Sequence, residues 1–142
     1  MLEYLQPAQI TFLIVTALSV LCGLVIGAER ELRSKPAGIS THILICFGGA
    51  LLTLISQSIE PNTPARVAAN IVTGVGFLGA GLILKGKNGY VHGLTSAASI
   101  WCTAAIGLAI GFGWYFEAVV SALVATLVPR IPHIRGTKSR GK

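Results

Sequence analysis

The sequence predicts an all-α integral membrane protein, a compact bundle of about five transmembrane helices with its N-terminus out and its C-terminus in. Three observations carry that expectation. The chain is 53% hydrophobic and only 11% charged over 142 residues, whereas an average soluble domain is about 25% charged. The charges are also clustered. None falls in 5–28, 67–84 or 89–116, and a helix needs about 20 apolar residues to cross a bilayer. Finally, five crossings place Arg30, Arg33, Lys35, Lys85, Lys87, Arg130, Arg135, Lys138, Arg140 and Lys142 on one side and leave only Arg66 on the other. Cytoplasmic loops carry the excess of Lys and Arg, which sets the orientation. Four crossings would put the basic tail beside the N-terminus and erase the asymmetry.

The elements follow in order. The first span is expected at 9–28. It lacks a basic leader and carries Glu3, so it reads as a retained helix and not as a cleaved signal. The segment ERELRSK follows, and Pro36 and Gly38 stop the helix. The second span, 42–59, opens after Ser40 and Thr41, either of which can cap it. The third, 65–84, has Thr63 as its N-cap and Pro64 in its first turn. The loop KGKNGYVHG leads to the fourth, 94–110. Gly111-Phe112-Gly113 is the expected turn into a short fifth span, 114–128, with Trp114 and Tyr115 suited to an interface belt. Residues 1–128 therefore form one membrane domain, and 129–142 a basic cytoplasmic tail.

Small residues recur at helical spacing. Ser19, Gly23 and Gly27 form one stripe; Thr95, Ser99, Thr103, Gly107 and Gly111 another; Ala118, Ala122 and Thr126 a third. In lipid such stripes let backbones approach closely, within one chain or between copies. Gly74, Gly76 and Gly79 match G-x-G-x-x-G, but that fingerprint requires a strand before it and a helix after it. Inside an apolar span these glycines are expected to pack closely, the lesser alternative being an unwound stretch lining a cavity.

Polar groups in the spans are few. Glu29 with Arg33 and Glu31 with Lys35 are i, i+4 pairs in the favourable order. Alternatively, Glu29 and Arg30 follow Gly27-Ala28 into the bundle interior, where ionisable groups mark function. His42 starts the second span on the same side as Glu29, with a solvated role the default reading and a proton-linked pair the alternative, and Asn70 is expected to bond across helices. Glu29, Arg30, His42 and Asn70 are thus the candidate polar cluster. Gln57 and Glu117 are the other polar groups near the spans. No catalytic set is visible, and no cofactor or metal site is expected. Cys22, Cys46 and Cys102 lie in apolar stretches without C-x-x-C spacing and read as small buried hydrophobes. The tail lacks the interleaved aromatics of a single-strand nucleic-acid binder, so anionic lipid is its expected contact.

Taken in order, GLVIGAERELRSKPAGISTHIL, PARVAANIVTGVGFLGAGLIL and GLTSAASIWCTAAIGLAIGFG resemble the MgtC/SapB family over roughly 23–113. The resemblance implies a multi-pass bacterial inner-membrane protein. It also implies a role in adaptation to low magnesium or acid stress, with virulence in some members, and action on other membrane proteins. Longer relatives carry a cytoplasmic C-terminal domain that this chain is expected to lack. Three positions depart from the family pattern: Thr63 stands where Asp is usual, Ser40 where Arg is usual, and Ser96 where Thr is usual. The first weakens the case for a direct cation site; the second thins the cytoplasmic charge. The resulting expectation is a non-enzymatic modulator of another membrane protein, with lipid and a second membrane protein or a second copy as partners. A small oligomeric magnesium or proton transporter is the alternative.

Overall fold

The structure, a computed structural model, describes residues 6–59, 61–63, 65–85 and 91–131. The expected basic tail from residue 132 onward, Lys87 with its loop, and Pro64 lie outside the described residues.

Among the described residues five α-helices make up the fold: α1 (Pro7–Leu32), α2 (Ile39–Ile59), α3 (Ala65–Leu82), α4 (Leu94–Gly111) and α5 (Tyr115–Leu127). A short antiparallel pair, β1 (Leu84–Lys85) and β2 (Val91–His92), joins α3 to α4, and a 3₁₀ turn (Val128–Arg130) follows α5. Helices α1, α2 and α4 are each long and apolar enough to cross a membrane. At 1.5 Å per residue, the 13 residues of α5 reach about 20 Å, against about 30 Å of hydrocarbon. Large apolar side chains are exposed on all five helices, Leu21, Leu44, Phe77, Trp101 and Leu123 among them. Such a surface suits lipid, not water.

The ends of the helices explain their lengths. Pro7 opens α1 where its missing N–H costs nothing. The helix continues to Leu32, four residues past the expected end. There Ser34, at φ 52, closes it in a Schellman motif: Ser34 N–H donates to the Glu31 carbonyl (2.9 Å) and Lys35 N–H to that of Arg30 (3.0 Å). Helix α2 then starts at Ile39 rather than 42, because its cap is neither Ser40 nor Thr41. The Glu31 carboxylate accepts from the Ile39 N–H at 3.0 Å, so Glu31 serves a backbone donor instead of the expected Lys35, which lies past the helix end. Helix α3 ends two residues early, at Leu82, where the chain enters the β pair.

Gly113, at φ 84, ends α4 in a second Schellman motif. Its N–H donates to the Ile110 carbonyl (3.0 Å), and that of Trp114 to the Ala109 carbonyl (2.9 Å). The expected turn between the fourth and fifth helices is therefore present.

Two buried clusters fill the bundle. Val15, Cys22, Ile26, Cys46, Ala50, Ile106 and Ile110 join α1, α2 and α4, with Ala118 and Ala122 closing the α5 side. Ile71 and Val75 of α3 pack on Ile100, Ala104 and Leu108 of α4. Helix α4 is thus the central element. The ends of α1, α3 and α5 and the starts of α2 and α4 meet at one end of the bundle, hereafter the α1-exit end.

Candidate functional site

Glycine decides how closely the central helices approach. A Cβ on Gly23 would lie 2.5 Å from Ile43 Cα, and one on Gly27 would lie 2.5 Å from Ile39 Cα. Further along α2, a Cβ on Gly111 would lie 2.5 Å from Thr53 Cβ, and one on Gly107 would collide with the Cys46 carbonyl. Two of the small-residue stripes are therefore seams, α1 against α2 and α4 against α2. Gly74 and Gly76 behave differently. Nothing lies within 4 Å of a Cβ built on either, and Gly79 has only ordinary contact with Ala97. Close packing expected at Gly74 and Gly76 is not realised, because α3 packs on α4 through Ile71 and Val75 and the two glycines lie to either side of that face. Helix α3 also runs unbroken through all three glycines, so they form neither a strand–turn–helix fingerprint nor an unwound stretch.

These close seams carry buried polar groups to the α1-exit end. Glu29 is 4% exposed, Arg30 2% and His42 0%. The solvated reading of His42 is thus corrected: it lies one turn into α2 and faces α4. Its Nδ1 sits 3.0 Å from the Gly38 carbonyl and its Nε2 2.9 Å from Ser99 Oγ. A carbonyl only accepts, so Nδ1 carries the proton, and in the neutral ring Nε2 accepts from Ser99. Arg30 donates through Nη2 to Ser96 Oγ. Glu29 Oε1 accepts from Arg33 Nη1 at 3.2 Å, the expected i, i+4 pair, and lies 3.8 Å from Arg130 Nε. Arg33 Nη1 also donates to the Pro129 carbonyl at 2.5 Å. Glu29 and Arg33 thereby fasten the exit of α5 to that of α1.

Asn70 does not join this group. It is exposed on α3 and lines an apolar groove of about 560 Å³ between α2 and α3, with Leu44, Gly48, Leu52, Val67 and Gly74. One residue near the opposite end does bond across helices. Gln57 Nε2 donates to the Gly111 carbonyl at 2.7 Å, one of the carbonyls a helix C-terminus leaves open.

Several residues of the polar end were not singled out from sequence. Ser99 read as part of a packing stripe and Ser96 only as a departure from the family pattern, yet they hold His42 and Arg30. Their signal was weak: two hydroxyls, three apart, at the start of an apolar helix beside no charge in sequence. Pro129 and Arg130 read as tail, although they pack against Glu29 and Arg33.

Two buried polar atoms here have no hydrogen-bond partner among the described residues, Glu29 Oε2 and Arg30 Nε. Beside Arg30 opens a cavity of about 560 Å³, lined among others by Arg30, Arg33, Lys35, His92, Thr95 and Ser96. Among the described residues no three His, Cys, Asp or Glu side chains converge as metal ligands would. The arrangement is therefore a cation-rich recess with one structural carboxylate at its edge.

The sequence profile of the MgtC family matches residues 16–133. The chain is 43% identical over 107 residues to "Protein MgtC" of Salmonella typhimurium, covering 75% of this chain and 46% of the relative. It is 40% identical over 129 residues to "Protein SapB" of Bacillus subtilis, covering 84% and 54%. It is 43% identical over 124 residues to "Putative magnesium transporter YhiD" of Escherichia coli, covering 81% and 57%. The chain thus spans about half the length of these curated relatives. No solved structure matches.

Proposed function

The chain belongs to the MgtC family, and from that premise we propose that it is a non-enzymatic inner-membrane protein that modulates another membrane protein during low-magnesium or acid stress. The observation that carries this reading is the open face of α3. Phe77 is 82% exposed, Gly74 and Gly81 on the same side of α3 meet nothing within 4 Å among the described residues, and the groove that Gly74 lines is apolar apart from Asn70. A small-residue face bounded by a bulky aromatic suits docking of a transmembrane helix, because lipid offers no hydrophobic drive and association rests on close packing. The positive-inside rule supports the orientation, with the α1-exit end cytoplasmic and the N-terminus out.

A magnesium or proton transporter is the second reading. It is favoured by the buried group Glu29, Arg30 and His42 and by the name of the Escherichia coli relative. Against it, Val15, Ile26, Cys46, Ile106 and Ile110 close the middle of the bundle with apolar packing.

Proteoliposomes containing only this protein separate the two. The modulator reading expects magnesium and proton flux at the level of empty liposomes. It also expects Gly74→Leu to keep at least wild-type thermal stability while losing the ability to support growth at low magnesium. Specific flux by the purified protein alone, abolished by Glu29→Gln, would replace modulation with transport.

A further inference from the structure

The recess at the α1-exit end has features the modulator reading does not use. Arg30 is a buried cation whose guanidinium carries five N–H donors. Its only hydrogen-bond partner among the described residues is the neutral Ser96 hydroxyl, and its Nε is buried with no partner. The neighbouring carboxylate does not pair with it, since Glu29 Oε1 is turned to Arg33 and Arg130. An unpaired buried charge is costly, and buried charges are normally paired or neutralised.

The cavity beside Arg30 supplies the missing half. Among the described residues its charged lining groups are Arg30, Arg33 and Lys35, and no carboxylate lines it. The first turn of α4 forms its far wall, through Leu94, Thr95 and Ser96. The residue before that helix is Gly93, which provides no side-chain cap, so the open N–H groups of the first turn face the cavity side of the helix end. Glycine is needed there: φ is 89, and a Cβ would overlap the Leu82 carbonyl. Helix N-termini attract anions through these N–H groups and the helix dipole. A planar guanidinium, two further cations and an uncapped helix start around one volume match the multiple oxygens of a phosphate. About 560 Å³ exceeds what a bare ion requires and lies in the range of small-molecule sites.

We propose that this recess binds a phosphate group, presented either by an anionic phospholipid headgroup or by inorganic phosphate. Arg30 is its buried anchor, and Lys35 and the α4 N-terminus complete its shell. The proposal does not depend on what the open α3 face docks.

Binding is read as a saturable rise in melting temperature of the full chain. One arm titrates inorganic phosphate into protein held in phosphatidylcholine nanodiscs. The other compares those nanodiscs with ones holding phosphatidylcholine and increasing phosphatidylglycerol. Four proteins are compared: wild type, Lys35→Gln, Arg30→Lys, and Arg66→Gln as a charge-matched control at the opposite end. Lys35 is exposed, so its variant tests the site even if replacement of Arg30 impairs folding.

We expect the half-saturating concentration to rise about fivefold in Lys35→Gln. It should rise about tenfold in Arg30→Lys, which keeps the charge but loses the planar fork, and stay unchanged in Arg66→Gln. Response to phosphatidylglycerol alone assigns the site to a lipid headgroup, and response to phosphate alone assigns it to the soluble ion. Response to both makes the phosphate itself the recognised unit. No saturable response in either arm overturns the proposal, as does equal weakening by all three substitutions, which would reflect general surface charge.

Discussion

Replacing Gly27 by alanine isolates the contact that holds the polar end together. The new Cβ would stand 2.5 Å from Ile39 Cα and 2.9 Å from both the Gly38 carbonyl and the Ile39 nitrogen. Ordinary van der Waals contact begins at 3.4 Å, so α2 must withdraw by 3.4 − 2.5 = 0.9 Å. All three obstacles are backbone, and no side chain can rotate aside. Overpacking of a tight core costs about 1–3 kcal/mol, and rigid obstacles place this case near 3. Alanine recovers about 1 kcal/mol of helix propensity, leaving a net loss of about 2 kcal/mol. Gly76→Ala is the control: nothing lies within 4 Å of its Cβ, so it keeps only the propensity gain of about 1 kcal/mol. The two variants should differ by about 3 kcal/mol in reversible unfolding in mixed micelles, followed by the fluorescence of Trp101 and Trp114. Equal stability of the two would refute the claim that glycine sets the α1–α2 distance.

Other consequences are narrower. Ser99→Ala leaves Nε2 of the fully buried His42 without its partner and should cost about 1–3 kcal/mol, whereas Ser99→Thr, which keeps a hydroxyl, should cost less in the same unfolding assay. Gly113→Ala should cost about 1 kcal/mol from the positive φ alone, since space around it is open; a neutral result would show that the α4–α5 corner does not need the Schellman geometry. In a background lacking Cys22, Cys46 and Cys102, Asn62→Cys should react with an impermeant thiol reagent on intact cells, and Ser40→Cys only after permeabilisation. The reverse pattern would invert the orientation.

Composition and charge spacing were enough to read five helices, their order and the turn at Gly113, because lipid imposes long apolar runs and leaves charge only at their ends. The stripes Ser19-Gly23-Gly27 and Ser99-Thr103-Gly107-Gly111 were legible for a related reason: in a helix, spacing by four puts residues on one face. Which face meets which neighbour is a long-range matter. Gly74 is as small as Gly23 and Gly27 and also sits in an apolar span, yet only tertiary packing turns Gly23 and Gly27 into α2 and leaves Gly74 open. Glu29, Arg30 and His42 were candidates by residue type alone. Their burial depends on α1 running on to Leu32 and on Glu31 capping α2, both set by the Ser34 turn. Ser96, which holds Arg30 from 66 residues away, carries no local mark of that role. Sequence alone determined that the chain is a membrane bundle with basic residues gathered at one end. Only the tertiary structure decided that one of those cations is buried without an ion pair among the described residues, because that depends on where α4 begins.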